Sequence, residues 1–477
     1  MIVIILIVSL ILRLISINQS LWLDEGINVN VARNLNVKSL IFDYSLSDFH
    51  PPLFHVLLRG WILLFGSSEI AVRSLSVILA VATIFVIYLI ARKLFENKTA
   101  LISATLLATS PLHIYYSQEA RMYMLAAFLA SLSVYFFISL FKKDNIWYWT
   151  GFIVSTALML YSDYLPYLLI PAYIIYLLLV RKKIEASTVK AFIPSFIIIA
   201  LLTAPWLYLF PKQLNIGLSA AAASPAWAQV VGSPQAKNLL LVFVKFVIGR
   251  ISLDNNLIYA FSFAPIAVYV TSLFVLSLFR ISYLRSFLWF WFLLPILSAF
   301  ILSFFVPVFS YFRFIYILGA FYIILASAIN TINWTPLVRF LLGIFLIINL
   351  VSTGIYFAYP KFQRENWRDA TNFVVSSSNN KTLILFAAEY TTGPFDYYNQ
   401  DRIKAVGALL ETSAEPSRVK KRVELLTKDI NKVFLFQYLS QITDPQGIVF
   451  QELTKQGFTN TKTNDFQGVG FIYEFTK

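Results

Sequence analysis

The feature that most constrains this chain is a series of long apolar runs, near 1–17, 70–92, 99–115, 122–141, 147–161, 164–180, 190–210, 257–279, 285–306, 312–329 and 336–357. A helix of about 20 apolar residues covers the roughly 30 Å hydrocarbon core of a bilayer. About eleven such runs predict an α-helical polytopic membrane protein. Of the 477 residues, 58% are hydrophobic and 13% charged, with 44 Phe, 26 Tyr and 10 Trp. A water-soluble protein of that length has too little interior to hide so much apolar surface. The run 1–17 has the length of a secretory signal, but it lacks a basic start, and "SINQS" is a poor small-residue cleavage site. It is read as an uncleaved first span in which Arg13 snorkels toward an interface.

Lysine plus arginine is 38 and aspartate plus glutamate is 24, a net charge of +14. No basic block is long enough to argue for nucleic acid, so the excess is assigned to cytoplasmic anchoring and anionic lipid. Short loops carrying Arg92, Lys93 and Lys98, then Lys142 and Lys143, then "RKK", then Arg280, Arg285 and Arg339 fall on one side. The positive-inside rule makes that side cytoplasmic. The loop 18–69, "YYSQEARMY", "YSDYLPY" and the C-terminus then lie outside, in a cell membrane crossed many times. The segment 211–256 reads as irregular, with "NLLLVFVKFVIGR" as an interfacial or half-inserted helix. Residues 1–359 are thus a transmembrane domain. In 360–477, charges, Asn, Gln and Thr become common, and "KTLILFAA" and "KVFLFQY" look like buried parallel strands following helices. With "GVGFIYEFTK" as a last strand, this predicts a small C-terminal α/β extracytoplasmic domain.

Asp24 and Glu25 stand side by side in "SLWLDEGINV", directly after the first run. Neighbouring side chains on a helix diverge by about 100°, so the two would not share one task. His50 and His55 flank two prolines, a spacing that suits no one-face helical metal pair. The prolines instead start a helix lying along the membrane, with Arg59 on it. Glu119 and Arg121, in "SPLHIYYSQEARMYML", face different ways if helical and otherwise form a salt-bridged loop end. Arg313, in "FSYFRFIY", opens a late span, where an arginine is costly unless paired or wetted. Asp163, in "YSDYLPY", is either a turn residue ahead of a proline or a group reaching the same outer cavity.

Together "LWLDEG", "HPPLFH", "SQEARMY" and "NWRDATNFV" resemble the GT-C class of polyprenol-phosphate-sugar-dependent glycosyltransferases, in the protein mannosyltransferase and aminoarabinose-transferase-like branch. The resemblance is strongest over 18–130 and fades in the C-terminal part. It implies transfer of a monosaccharide from a polyprenyl-phosphate donor to a hydroxyl of a lipid, glycan or protein acceptor at the outer face, with inversion. By that resemblance Asp24 is the base, and Glu25 orients a partner or binds the acceptor. Arg121, Arg313, Arg59 and His50 are candidates for the donor phosphate, and Glu119, Tyr123 and Asp163 for the sugar or acceptor. A lipid-borne donor needs no nucleotide-binding fold, and the chain has no Gly-rich phosphate loop. With no Cys and 3 His, zinc is disfavoured, no metal ligand is assigned, and carboxylate-bound Mg²⁺ or Mn²⁺ stays open. The other classes weighed are a glycolipid flippase and a polymerase or ligase using a lipid-linked oligosaccharide. A flippase would show ionisable groups near mid-bilayer and repeated halves, whereas here the acids gather at outer loops and no repeat is visible.

Overall fold

The structure, a computed structural model, describes residues 1–223, 232, 234–280, 282–400, 402–409 and 416–477. Helices fill the chain as far as Ala358. Among the described residues, eight are long and apolar enough to cross a bilayer: Glu69–Leu94, Tyr123–Leu140, Leu165–Lys183, Ala186–Ala222, Asn256–Ser277, Tyr283–Leu302, Tyr311–Ile329 and Thr335–Ala358. The chain is a multi-pass membrane protein. The runs 1–17, 99–115 and 147–161 give shorter helices, Ile2–Leu14, Asn97–Ala108 and Ile146–Leu160. The middle one is interrupted at Ser110, which caps a second helix, Pro111–Ser117, with proline in its first turn.

Two expectations are corrected. Arg13 does not snorkel; it is fully buried. Its guanidinium donates to the Ser9 carbonyl and hydroxyl at 2.9 and 2.7 Å, to the Ala108 carbonyl at 2.9 Å and to His113 Nδ1 at 2.7 Å. The Ala108 carbonyl is free to accept because its helix ends there. The segment after Pro211 is not irregular at its start. The Ala186–Ala223 helix continues through Pro194, Pro205 and Pro211. Its 38 residues span about 57 Å, far more than a bilayer core. "NLLLVFVKFVIGR" contributes the Ala236–Ile248 helix, and 224–231 lie outside the described residues.

After the Thr335–Ala358 span the chain forms a mixed sheet of β1 (Thr382–Ala388), β2 (Ala405–Leu409), β3 (Lys432–Phe436), β4 (Thr459–Phe466) and β5 (Gly470–Thr476), in the order β2-β1-β3-β5-β4. β1 runs parallel to β2 and β3, and β5 runs antiparallel to β3 and β4. Alternation along β1 feeds two cores. Ile384 and Phe386 pack with Trp367, Val374 and Phe395 on one face, and Leu383 and Leu385 pack with Val419, Val423 and Leu453 on the other. The sheet unit sits on the Leu23–Asn34 helix. Asn30 Nδ2 donates to the Gly393 carbonyl at 2.9 Å, Leu21 N–H to Tyr398 Oη at 2.8 Å, and Arg368 Nη2 to Glu69 Oε1 at 2.5 Å. Trp367, from "NWRDATNFV", is a buried core residue of the sheet unit, and its neighbour Arg368 makes the docking contact. Gly26 permits the close approach: a Cβ there would lie 2.8 Å from Pro394 Cα.

At the same junction Glu365 accepts from Trp367 Nε1 at 2.7 Å and from Tyr438 Oη at 3.0 Å. Burial lifts its carboxyl to about 7, against the opposing pull of those two donors. Two predictions follow from this junction. Gly26→Val should lower the melting temperature and speed proteolysis between the helical part and the sheet; an unchanged cleavage pattern would exclude a tight junction. For Glu365, the folded value lies above an unfolded value of about 4.3, so its contribution is full at low pH and is lost as pH rises through 7. His55 carries the opposite sign, with a folded value of about 4, and its slope ends near its unfolded value of about 6.5. Between pH 6.5 and 8, wild-type melting temperature should therefore fall more steeply than that of Glu365→Gln; parallel curves would refute the assignment.

Candidate active site

The segment after the first apolar run folds as the Leu23–Asn34 helix, with Asp24 and Glu25 in its first turn, where carboxylates complement the helix dipole. Glu25 points inward. Its Oε1 and Oε2 accept from Arg73 Nε at 2.8 Å and Nη2 at 2.6 Å, and Oε1 also accepts the Ala120 N–H at 2.8 Å. The remaining Arg73 N–H groups reach the carbonyls of Ile17, Gln19 and Ser20. All five guanidinium donors are therefore used. Burial would raise the Glu25 carboxyl, but the charge and hydrogen bonds of Arg73 outweigh it and hold it below the ordinary range. Removing one partner of such a buried pair costs about 3–5 kcal/mol.

Asp24 faces elsewhere. Its Oδ2 lies 2.8 Å from Arg121 Nη1, and its side chain is 32% exposed where that of Glu25 is 0%. Burial opposes the Arg121 charge, but Asp24, Asp48 and Glu119 outweigh it and keep the guanidinium firmly protonated. Residues 118–122 are not helical, so Glu119 and Arg121 diverge into two ion pairs. Arg364 Nη1 lies 2.8 Å from Glu119 Oε2, yet neither Glu119 oxygen has an aligned hydrogen-bond donor among the described residues. Burial pushes the Glu119 carboxyl up, with Arg364 opposing.

Tyr115 joins two further arginines. Its hydroxyl accepts from Arg364 Nη1 at 2.6 Å and Arg250 Nη1 at 2.5 Å, and its ring centroid lies 3.8 Å from the Arg364 guanidinium carbon. Arg250 reaches it because Gly249 ends the Ala236–Ile248 helix at φ 66°, a left-handed turn that favours glycine, packed against Pro111. Arg250 has no carboxylate at ion-pair distance among the described residues.

Beside Asp24 lies a second carboxylate, Asp48. It accepts from Tyr44 Oη at 3.1 Å and sits 3.3 Å from both His50 Nδ1 and His55 Nε2. Burial works against its charge, but the His50 hydrogen bond, the histidine charges and Arg121 hold it at about 2. Burial keeps His55 down, at about 4. No group of three or more His, Asp or Glu among the described residues is arranged to hold a metal ion.

The structure thus gathers Asp24, Glu25, Glu119, Arg121 and His50 around one corner of the bundle. Tyr123 borders it, its ring 5.7 Å from the Arg121 guanidinium and packed on Tyr116 and Phe312. Arg313 lies within electrostatic reach of Tyr123. Two candidates are spent elsewhere. Arg59 donates to the Ala32 and Arg33 carbonyls, at the far end of the helix about 12 Å along from Asp24. Asp163 closes its own turn, accepting the Tyr164 N–H at 2.7 Å. Sequence reasoning missed Arg73, Asp48, Arg250 and Arg364. The available signals were an arginine one turn inside an apolar span, a Gly-Arg pair closing a short apolar helix, and an arginine three residues before a motif tryptophan.

Residues 49–209 match the family model for dolichyl-phosphate-mannose-protein mannosyltransferase. No curated protein matches the chain. Its fold is similar to that of ArnT from Cupriavidus metallidurans bound to undecaprenyl phosphate, with a TM-score of 0.63 at 11% identity over 99% of this chain and 97% of that one. It is also similar to the oligosaccharyltransferase AglB from Archaeoglobus fulgidus in complex with an inhibitory peptide and a dolichol-phosphate, with a TM-score of 0.59 at 12% identity over 99% of this chain and 73% of that one. The chain therefore shares the fold of ArnT and AglB, and its residues 49–209 resemble the dolichyl-phosphate-mannose-protein mannosyltransferase family.

Proposed function

We propose that the protein transfers a monosaccharide from a polyprenyl-phosphate donor to a hydroxyl of a lipid, glycan or protein acceptor at the extracytoplasmic face, with inversion. The observation that carries this reading is a half-exposed carboxylate, Asp24, paired with Arg121 beside a group of arginines that carries more guanidinium than its carboxylates occupy. A phosphate leaving group needs little acid assistance, so the demands fall on a base for the acceptor and on fixed positive charge for the departing oxygens. Asp24 takes the acceptor proton as the hydroxyl attacks the anomeric carbon. Glu25 is sealed against Arg73 and acts by fixing the helix that carries Asp24. Arg121 orients Asp24. Arg250, Arg364 and Arg313 grip the phosphate, for which a planar two-donor fork is suited. Glu119, with its oxygens unaligned to any donor, and Tyr123 contact sugar or acceptor hydroxyls. Undecaprenyl phosphate in ArnT and dolichol-phosphate in AglB support a lipid phosphate ligand for the shared fold.

Asp24→Asn should insert and fold normally but lose about 10²–10⁴-fold in turnover on a short-chain prenyl-phosphate sugar. Wild-type turnover by that variant would defeat the base assignment, and retention of anomeric configuration in the product would remove the single-displacement route. Arg250→Ala should raise the apparent donor KM by about 10–100-fold, the value of one charge-assisted hydrogen bond. An unchanged donor KM would take Arg250 out of the phosphate site.

A further inference from the structure

The sheet unit carries a cleft whose lining includes none of the residues of the Asp24 corner. Its volume is about 380 Å³, and its floor is Ala387 of β1 with Leu435 and Phe436 of β3. Both strands end there by their carboxyl termini. The strand order makes this a topological switch point. The chain leaves β1 to one side for β2 and returns past β1 to reach β3. The two connecting helices cover opposite faces: Gly393–Asn399 places Phe395 in one core, and Pro416–Leu426 places Val419 and Val423 in the other. Parallel sheets hold their ligands in the crevice opened at such a point.

The lining selects the ligand class. Gln437, Gln441, Gln446 and Gln451 surround the cleft, with Ser440 and the Tyr473 ring. Lysine and arginine are absent from its described lining. Its one carboxylate, Asp444, is spent on the Ile448 and Val449 N–H groups at 2.8 and 2.9 Å. That bond neutralises the start of the Ile448–Lys455 helix and places negative charge at the rim. An anionic ligand such as a phosphate or nucleotide is therefore disfavoured. Carboxamides both donate and accept, which matches adjacent sugar hydroxyls, and a partly buried tyrosine offers a flat apolar face for a pyranose ring. The turn between Gln437 and Ser440 passes through Leu439 at φ 54°, a conformation bulky residues rarely adopt. Gln451 is braced on the Gln446 carbonyl at 3.0 Å.

We infer that this cleft is a binding site for a neutral oligosaccharide. It goes beyond the transfer reaction and does not depend on it. The test uses full-length protein in detergent and saturation-transfer NMR with three neutral tetrasaccharides, mannotetraose, cellotetraose and maltotetraose. At least one should receive saturation from the wild type, and its affinity should fall about tenfold or more in the double variant Gln437→Ala/Gln441→Ala. Both side chains are exposed, so the variant should keep its fold. Prenyl-phosphate-sugar transfer to a small acceptor, assayed in parallel, should be unchanged in it. No saturation of any tetrasaccharide, or saturation equal in wild type and double variant, would overturn the proposal. Displacement of the tetrasaccharide by simple phosphate would overturn the neutral class. Absence of transfer by the wild type, with its tetrasaccharide saturation present and reduced in the double variant, would strike at the proposed transfer reaction instead, which keeps the two failures distinct.

Discussion

The end of the bundle that carries Asp24 depends on one buried ion pair, Glu25 with Arg73. Neither charge is exposed, so both have lost their water, and their mutual attraction offsets that loss only when the remaining donors and acceptors are also satisfied. Here they are. The Arg73 fork spends two donors on the carboxylate and three on the carbonyls of Ile17, Gln19 and Ser20, while Glu25 takes an additional N–H from Ala120. The pair thereby joins the segment after the first helix, the start of the Leu23–Asn34 helix and the "SQEARMY" turn. The geometry leaves little freedom for the helix that carries Asp24.

From that anchor the two adjacent acids acquire different lives. The helical step between them turns one inward to a saturated, dry partner and the other toward a half-exposed rim. The arginines beyond arrive from separate segments: Arg121 from the turn before one span, Arg250 from a glycine-ended short helix, and Arg364 from the strap after the last span. Two of them meet on a single tyrosine oxygen. Arg364 is also paired with Glu119, whereas Arg250 is held by a neutral hydroxyl and an aromatic face, which keeps more of its field for a ligand.

The sheet unit is part of this arrangement. Its strap supplies Arg364, its Tyr438 steadies Glu365, and its Pro394 touches the helix bearing Asp24 at the one position where glycine leaves room. Its cleft has the opposite character, amide-lined and without basic side chains in its described lining.

Much of this was legible in the residues. Apolar length gave the membrane class, since a continuous apolar run of such length fits a helix that satisfies its own backbone inside lipid. The quoted motifs singled out Asp24, Glu25, Glu119 and Arg121, and the apolar runs "KTLILFAA" and "KVFLFQY" form β1 and β3. β2 was missed because five residues with a central glycine carry little pattern, and β4 because an exposed edge strand of almost entirely polar residues shows no apolar alternation. Arg59 looked equivalent to the other basic candidates until the fold turned it onto helix-end carbonyls. Local pattern records which side of a helix is apolar and which residues carry charge. Which charges meet depends on how segments distant in the chain pack against one another. Arg73 lies 48 positions from Glu25, and Arg364 lies 249 from Tyr115. No local spacing encodes those distances, so the sequence determined the membrane, the motifs and the candidate acids, and the tertiary structure decided which acid stays exposed and which arginines stand beside it.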